Sequence, residues 1–140
     1  ERICDLYCGA GTFTLPLAAR AGEVIAVEEV GSSLRDLKRN LEGAQLDADI
    51  RPGDVARAMD GNIVCDALVV DPPRNGMSPD AIRGTVSTHA TRIAYVSCNP
   101  TTLARDLQEF SKAGYHIEQV TPVDLFPQTY HVETVTILSL

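Results

Sequence analysis

The sequence predicts an α/β chain with a Rossmann-like fold: a mostly parallel, doubly wound sheet whose final strand is antiparallel. Short apolar runs rich in β-branched residues alternate with amphipathic stretches of helical spacing, the pattern of right-handed βαβ crossovers. The last two apolar runs, 116–122 and 133–140, have no helical stretch between them. Parallel neighbours need a crossover of about a dozen residues, so this pair is expected to run antiparallel. Side chains able to do chemistry fall just after the apolar runs, where ligands bind in such sheets.

Arg2 to Tyr7 reads as a buried strand ending in the turn Cys8-Gly9-Ala10-Gly11, and Thr12 to Ala21 as a helix that tolerates Pro16 near its start. Glu23 to Val27 is a second strand, closed by Glu28-Glu29. Ser32 or Ser33 is placed to cap the next helix, whose Leu34, Leu37 and Leu41 recur at three- and four-residue spacing. Ala48 to Arg51 is a weak third strand leading to Gly53-Asp54, and Cys65 to Val70 a strong fourth stopping at Asp71-Pro72-Pro73. Pro79 to His89 reads as a helix. Ile93 to Val96 is a fifth strand ending at Ser97-Cys98-Asn99-Pro100. Thr101 to Ala113 then forms a helix with Leu103, Leu107 and Phe110 on one face and Gly114 as its stop. A polar and aromatic loop, Asp124 to His131, joins the last two strands.

At 140 residues and 44% hydrophobic, the chain is expected to be a single domain with a real core. No apolar run approaches the roughly 18 residues that span a bilayer, and no charged-then-apolar leader opens it, so a soluble, cytoplasmic protein with no membrane partner is expected. The four cysteines, Cys4, Cys8, Cys65 and Cys98, lack the dense spacing of a disulfide scaffold and read as reduced thiols. Cys4 and Cys8 have no second ligand pair, so no metal is expected; Cys4 and Cys65 read as small buried hydrophobes.

The turn at Gly9 and Gly11 lets backbone approach a ligand closely. Thr14 stands where a dinucleotide fingerprint wants its third glycine. Glu28, at the end of the second strand, can accept hydrogen bonds from both ribose hydroxyls of a nucleoside, a feature shared by NAD and S-adenosylmethionine sites. Asp71-Pro72-Pro73-Arg74 favours the latter. Consecutive prolines stiffen the lip of the cleft, and methyl transfer needs donor and acceptor held in line.

With these residues assembled, the chain resembles the RNA uracil-5-methyltransferase family, whose members make 5-methyluridine in tRNA and large-subunit rRNA. The resemblance runs through essentially the whole chain. It rests on Asp5-Leu6-Tyr7-Cys8-Gly9-Ala10-Gly11-Thr12-Phe13; on Asp71-Pro72-Pro73-Arg74; on Tyr95-Val96-Ser97-Cys98-Asn99-Pro100 with Thr102-Leu103-Ala104-Arg105-Asp106; and on Phe126-Pro127-Gln128-Thr129-Tyr130-His131-Val132-Glu133. It implies a catalytic domain using S-adenosylmethionine, with Cys98 as nucleophile and Glu133 as general base. Cofactor contacts carry over to Tyr7, Glu28 and Asp71, with Asp54 at the adenine and Gly9 and Gly11 in the turn. Thr12 stands where relatives often have Asn.

Cys98 suits the nucleophile's part: it ends a strand just before a helix N-terminus, whose dipole favours negative charge. RNA is the implied partner. The net charge of -7 opposes RNA binding by this chain alone, because Lys and Arg contacts to phosphate dominate that affinity. The family's N-terminal RNA-binding domain, and a region with a cofactor-binding glutamine and in some relatives an iron–sulfur cluster, have no counterpart in the sequence. A piece of a longer protein, binding RNA weakly by itself, is therefore expected. Two other readings stay open: a methyltransferase acting on an exocyclic amine, against which Arg74 in the usual aromatic position counts, and a cofactor-binding module without catalysis. A NAD-dependent oxidoreductase lacks its third glycine.

Overall fold

A computed structural model describes residues 1–125, 127–129 and 131–140; Phe126 and Tyr130, within the fourth of the sequence blocks above, lie outside the described residues. Seven strands and five helices follow in the order β1 (Arg2–Leu6), α1 (Thr14–Ala18), β2 (Glu23–Glu28), α2 (Gly31–Ala44), β3 (Asp49–Pro52), α3 (Val55–Ala58), β4 (Ala67–Val70), α4 (Pro79–Ser87), β5 (Arg92–Ser97), α5 (Pro100–Lys112), β6 (His116–Val123) and β7 (Glu133–Ser139), counted among the described residues. The strands form one sheet in the order β3-β2-β1-β4-β5-β7-β6. β1 pairs in parallel with both β2 and β4, so the strand order reverses between β1 and β4, and a crevice opens beyond their carboxyl ends. β7 runs antiparallel between β5 and β6, as the missing crossover requires.

Strand alternation divides the core between the two faces. Leu6, Val27, Val70, Ile93, Tyr95 and Leu138 point to one face, where Val55 of α3, Met59 just after it, Ile82 of α4 and Leu103, Leu107 and Phe110 of α5 cover them. Ala26 points to the other and packs with Cys8, Leu37 and Leu41, backed by Leu15 of α1. Phe110 meets Tyr95 and Tyr115 edge to face, with centroids 6.4 and 5.8 Å away, which anchors α5 on the sheet. Cys4 and Cys65 are buried in the larger core, and all four cysteines are free thiols.

Several boundaries differ from the sequence reading. The first helix has five residues rather than the stretch 12–21, because the chain must turn early enough for Gly22 and Glu23 to donate to the Glu1 carbonyl and enter β2. Neither Ser32 nor Ser33 caps α2. Its N-cap is Val30, and the Glu28 carboxylate takes the Glu29 and Val30 amides instead. Cys65 and Asp66 precede β4 rather than opening it, with Asp66 exchanging hydrogen bonds with the Arg2 backbone. α3, a single turn capped by Asp54, was not expected.

Candidate active site

A cleft of about 410 Å³ lies over the switch point between β1 and β4. Tyr7 after β1, Glu28 at the end of β2, Asp54 after β3 and Asp71 after β4 all line it, so four of the expected cofactor residues come together. Val27, Val30 and Val55 add apolar wall, and Pro72 and Pro73 form the opposite lip. Tyr7 has a φ of 61°, a conformation uncommon for a side chain with a Cβ and one found at functional turns. Burial, and then the charge of Asp54, push its phenol up to about 12, so it stays protonated as a donor.

Glu28 is held by the turn it faces. One carboxylate oxygen accepts from the Gly9 amide at 2.8 Å; the other accepts from the Glu29 and Val30 amides at 2.9 and 2.8 Å. These bonds fix the carboxylate at the cleft wall while leaving lone pairs for hydroxyl donors. Gly9, with φ 57°, is thus tied to Glu28 rather than lining the cleft. Gly11 faces inward: with φ 102°, an added Cβ would lie 2.5 Å from Leu15 and 2.7 Å from Leu37. Asp54 caps α3 by accepting from the Ala56 amide at 2.7 Å.

Asp71 lines a second cleft as well, of about 420 Å³, whose walls are mainly apolar: Phe13, Val69, Ala94, Val96, Val135 and Leu125, with Glu133 at its edge. Burial pushes the Asp71 carboxyl up to about 6, and the Glu133 charge adds to the shift. The two clefts therefore meet at a carboxyl group that Glu133 confronts. Asp5, fully buried in β1, is also pushed up to about 6, by desolvation first; Thr14 donates to one of its oxygens at 2.6 Å and the other has no partner. A charged residue inside an apolar strand was the available signal for it.

Cys98 is exposed and follows β5 directly, two residues beyond Val96 of the second cleft. The β5–β7 ladder ends at Ser97 paired with Thr134. Cys98 and Glu133 are the residues that directly adjoin this last pair, Cys98 following Ser97 and Glu133 preceding Thr134 as the first residue of β7. Asn99 caps α5 behind the thiol, accepting from the Thr101 amide at 3.0 Å. Cys8, by contrast, packs in the smaller core cluster. Sequence reasoning missed Phe13 and Val96, whose only signal is alternation along a strand or position after a glycine turn. Among the described residues, no group of three or more His, Cys, Asp or Glu is arranged to hold a metal ion, and no helix is long and apolar enough to cross a membrane.

The fold recurs in solved structures. The chain superposes on Pyrococcus abyssi tRNA (uracil-54, C5)-methyltransferase, determined in complex with S-adenosyl-L-homocysteine, with a TM-score of 0.88 and 34% identity, covering 99% of this chain and 34% of that one. An S-adenosylmethionine-dependent methyltransferase from Clostridium acetobutylicum shares the fold at a TM-score of 0.74 and 12% identity, covering 99% of this chain and 83% of that one. Among curated relatives, an uncharacterized RNA methyltransferase of Enterococcus faecalis is 38% identical over 99% of this chain and 32% of its own length. One from Listeria innocua is 39% identical over 100% of this chain and, again, 32% of its own length. The chain thus spans about a third of the length of the relatives it matches. The tRNA (uracil-5-)-methyltransferase family profile matches residues 56–140, which include Asp71, Cys98 and Glu133, and the chain belongs to that family.

Proposed function

We propose that this domain transfers the methyl group of S-adenosylmethionine to C5 of a uridine in tRNA or rRNA, with Cys98 as nucleophile and Glu133 as general base. The first cleft suits the cofactor chemically. Anchored Glu28 would accept from ribose hydroxyls, and Val30, Val55 and Asp54 line the cleft that would hold the base. When bound, the cofactor supplies an electrophilic methyl group.

The observation that carries this reading is the ladder ending at Ser97 and Thr134, whose next residues are the thiol and the carboxylate. Uracil C5 is too weak a nucleophile to be alkylated unaided. Addition of the Cys98 thiolate to C6 moves the C5–C6 π pair toward O4 and makes C5 enolate-like. C5 then takes the methyl group and carries both methyl and hydrogen. Glu133 removes that hydrogen as a proton, the pair reforms the C5–C6 double bond, and the thiolate leaves C6. Phe13 and Val96 offer flat and apolar contact to a pyrimidine in the second cleft, and Asp71, at the junction, is assigned to holding cofactor or base.

In the intact enzyme, Cys98→Ala is expected to bind the cofactor and to form no 5-methyluridine, and Glu133→Gln to accumulate a protein–RNA adduct that survives denaturing electrophoresis. Undiminished turnover by Cys98→Ala would overturn the mechanism.

A further inference from the structure

The segment after β4 that lines the cofactor cleft is held in place by α5. Asp71, Pro72, Pro73, Asn75, Gly76 and Ser78 contribute to the lining, whereas no residue of α5 does. Yet the Asn99 side-chain amide donates to the Arg74 carbonyl at 3.2 Å, and the Thr102 hydroxyl donates to the same carbonyl at 3.1 Å. One turn further on, the Arg105 guanidinium donates to the carbonyls of Asn75 at 2.9 Å and Met77 at 3.2 Å. Fully buried Asp106 accepts from the Met77 amide at 2.8 Å, and is itself steadied by the Tyr95 hydroxyl at 2.6 Å and by Arg105. The approach is close: a Cβ on Gly76 would lie 2.6 Å from both Arg105 and Asp106.

Asn99 does two jobs with one amide group. Its oxygen accepts from the Thr101 amide and so caps α5 immediately behind Cys98, while its nitrogen grips the lip of the cofactor cleft. We propose that Asn99 and Thr102 are positioning residues for the cofactor, locking the Asp71–Ser78 lip onto the helix that begins at the candidate nucleophile. Donor site and thiol then share one frame, which in-line transfer requires because small misplacements are costly in rate. The inference deepens the cofactor half of the reading above and rests on it.

Calorimetric titration with S-adenosylhomocysteine tests it, at a temperature where every variant is folded, so that global stability does not enter. Thr102→Val keeps the shape and deletes the donor; Asn99→Asp keeps the capping oxygen and replaces the donor with an oxygen that repels the Arg74 carbonyl. Each is expected to weaken binding roughly three- to tenfold, the scale of one hydrogen bond, while Thr102→Ser restores affinity to within about twofold. Tyr115→Phe deletes a buried hydrogen bond to Ala90 remote from the lip and is expected to leave affinity unchanged. Equal affinity in Thr102→Val, Asn99→Asp and the unsubstituted chain would overturn the clamp alone. Failure of the unsubstituted chain to bind S-adenosylhomocysteine would overturn both the clamp and the cofactor assignment. Formation of 5-methyluridine plays no part in the titration, so an error in the assigned target atom leaves its outcome unaltered.

Discussion

Asp71 lines both clefts, and its environment has a measurable signature. Burial first, and Glu133 second, raise its carboxyl to about 6 in the folded chain. Between the ordinary carboxylate value and that figure the native state binds more protons than the unfolded one, so stability falls as pH rises through this window and the full penalty remains above it. Asp71→Asn should therefore raise the unfolding temperature at about pH 8 and confer no advantage near pH 3, at some expense to cofactor binding. Thermal melts at both pH values check this; an equal advantage at both would deny the shift. Cys98, Glu133 and Glu28 were legible because they stand in recognisable blocks or at predicted strand ends. What Glu28 is bonded to was not, since its anchoring to Gly9 depends on β1 and β2 lying side by side in register. Asp106 was equally hidden, quoted within a motif but with nothing along the chain to show that it reaches Met77 and Tyr95.

The strands and the two long helices were readable to within a few residues, because each has the alternation or spacing of its kind over enough length to register. α5 illustrates the point: it was expected from Thr101 to Ala113 and spans Pro100–Lys112. Short helices fail that test. α3, Val55–Ala58, completes a single turn and offers no period to detect, and its cap residue Asp54 was read only as a cofactor contact. α4 meets the C-cap of α3 at a glycine: a Cβ on Gly84 would lie 2.5 Å from the Met59 carbonyl oxygen. Backbone cannot yield as a flexible side chain can, so Gly84→Ala is expected to separate the two helices and cost about 1–3 kcal/mol, measured by urea unfolding. A cost below about 0.5 kcal/mol would mean that the helices part freely.

The alternating pattern and the missing last crossover foretold a doubly wound sheet, but the order β3-β2-β1-β4-β5-β7-β6 needed coordinates, since pairing partners leave no local trace in a single sequence. Net charge, also a property of the whole chain, bears on the substrate. At -7, the chain should bind labelled tRNA and rRNA hairpins only weakly, with Kd above about 1 μM at physiological salt; submicromolar affinity would show that its surface suffices to grip RNA. The insertion of β7 between β5 and β6 has a further outcome during synthesis. A ribosome emits β6 before β7, the strand it pairs with among the described residues, so the candidate base arrives with the strand that joins β6 to β5. On the proposed assignment, a nascent domain in this state holds the nucleophile before it holds the base.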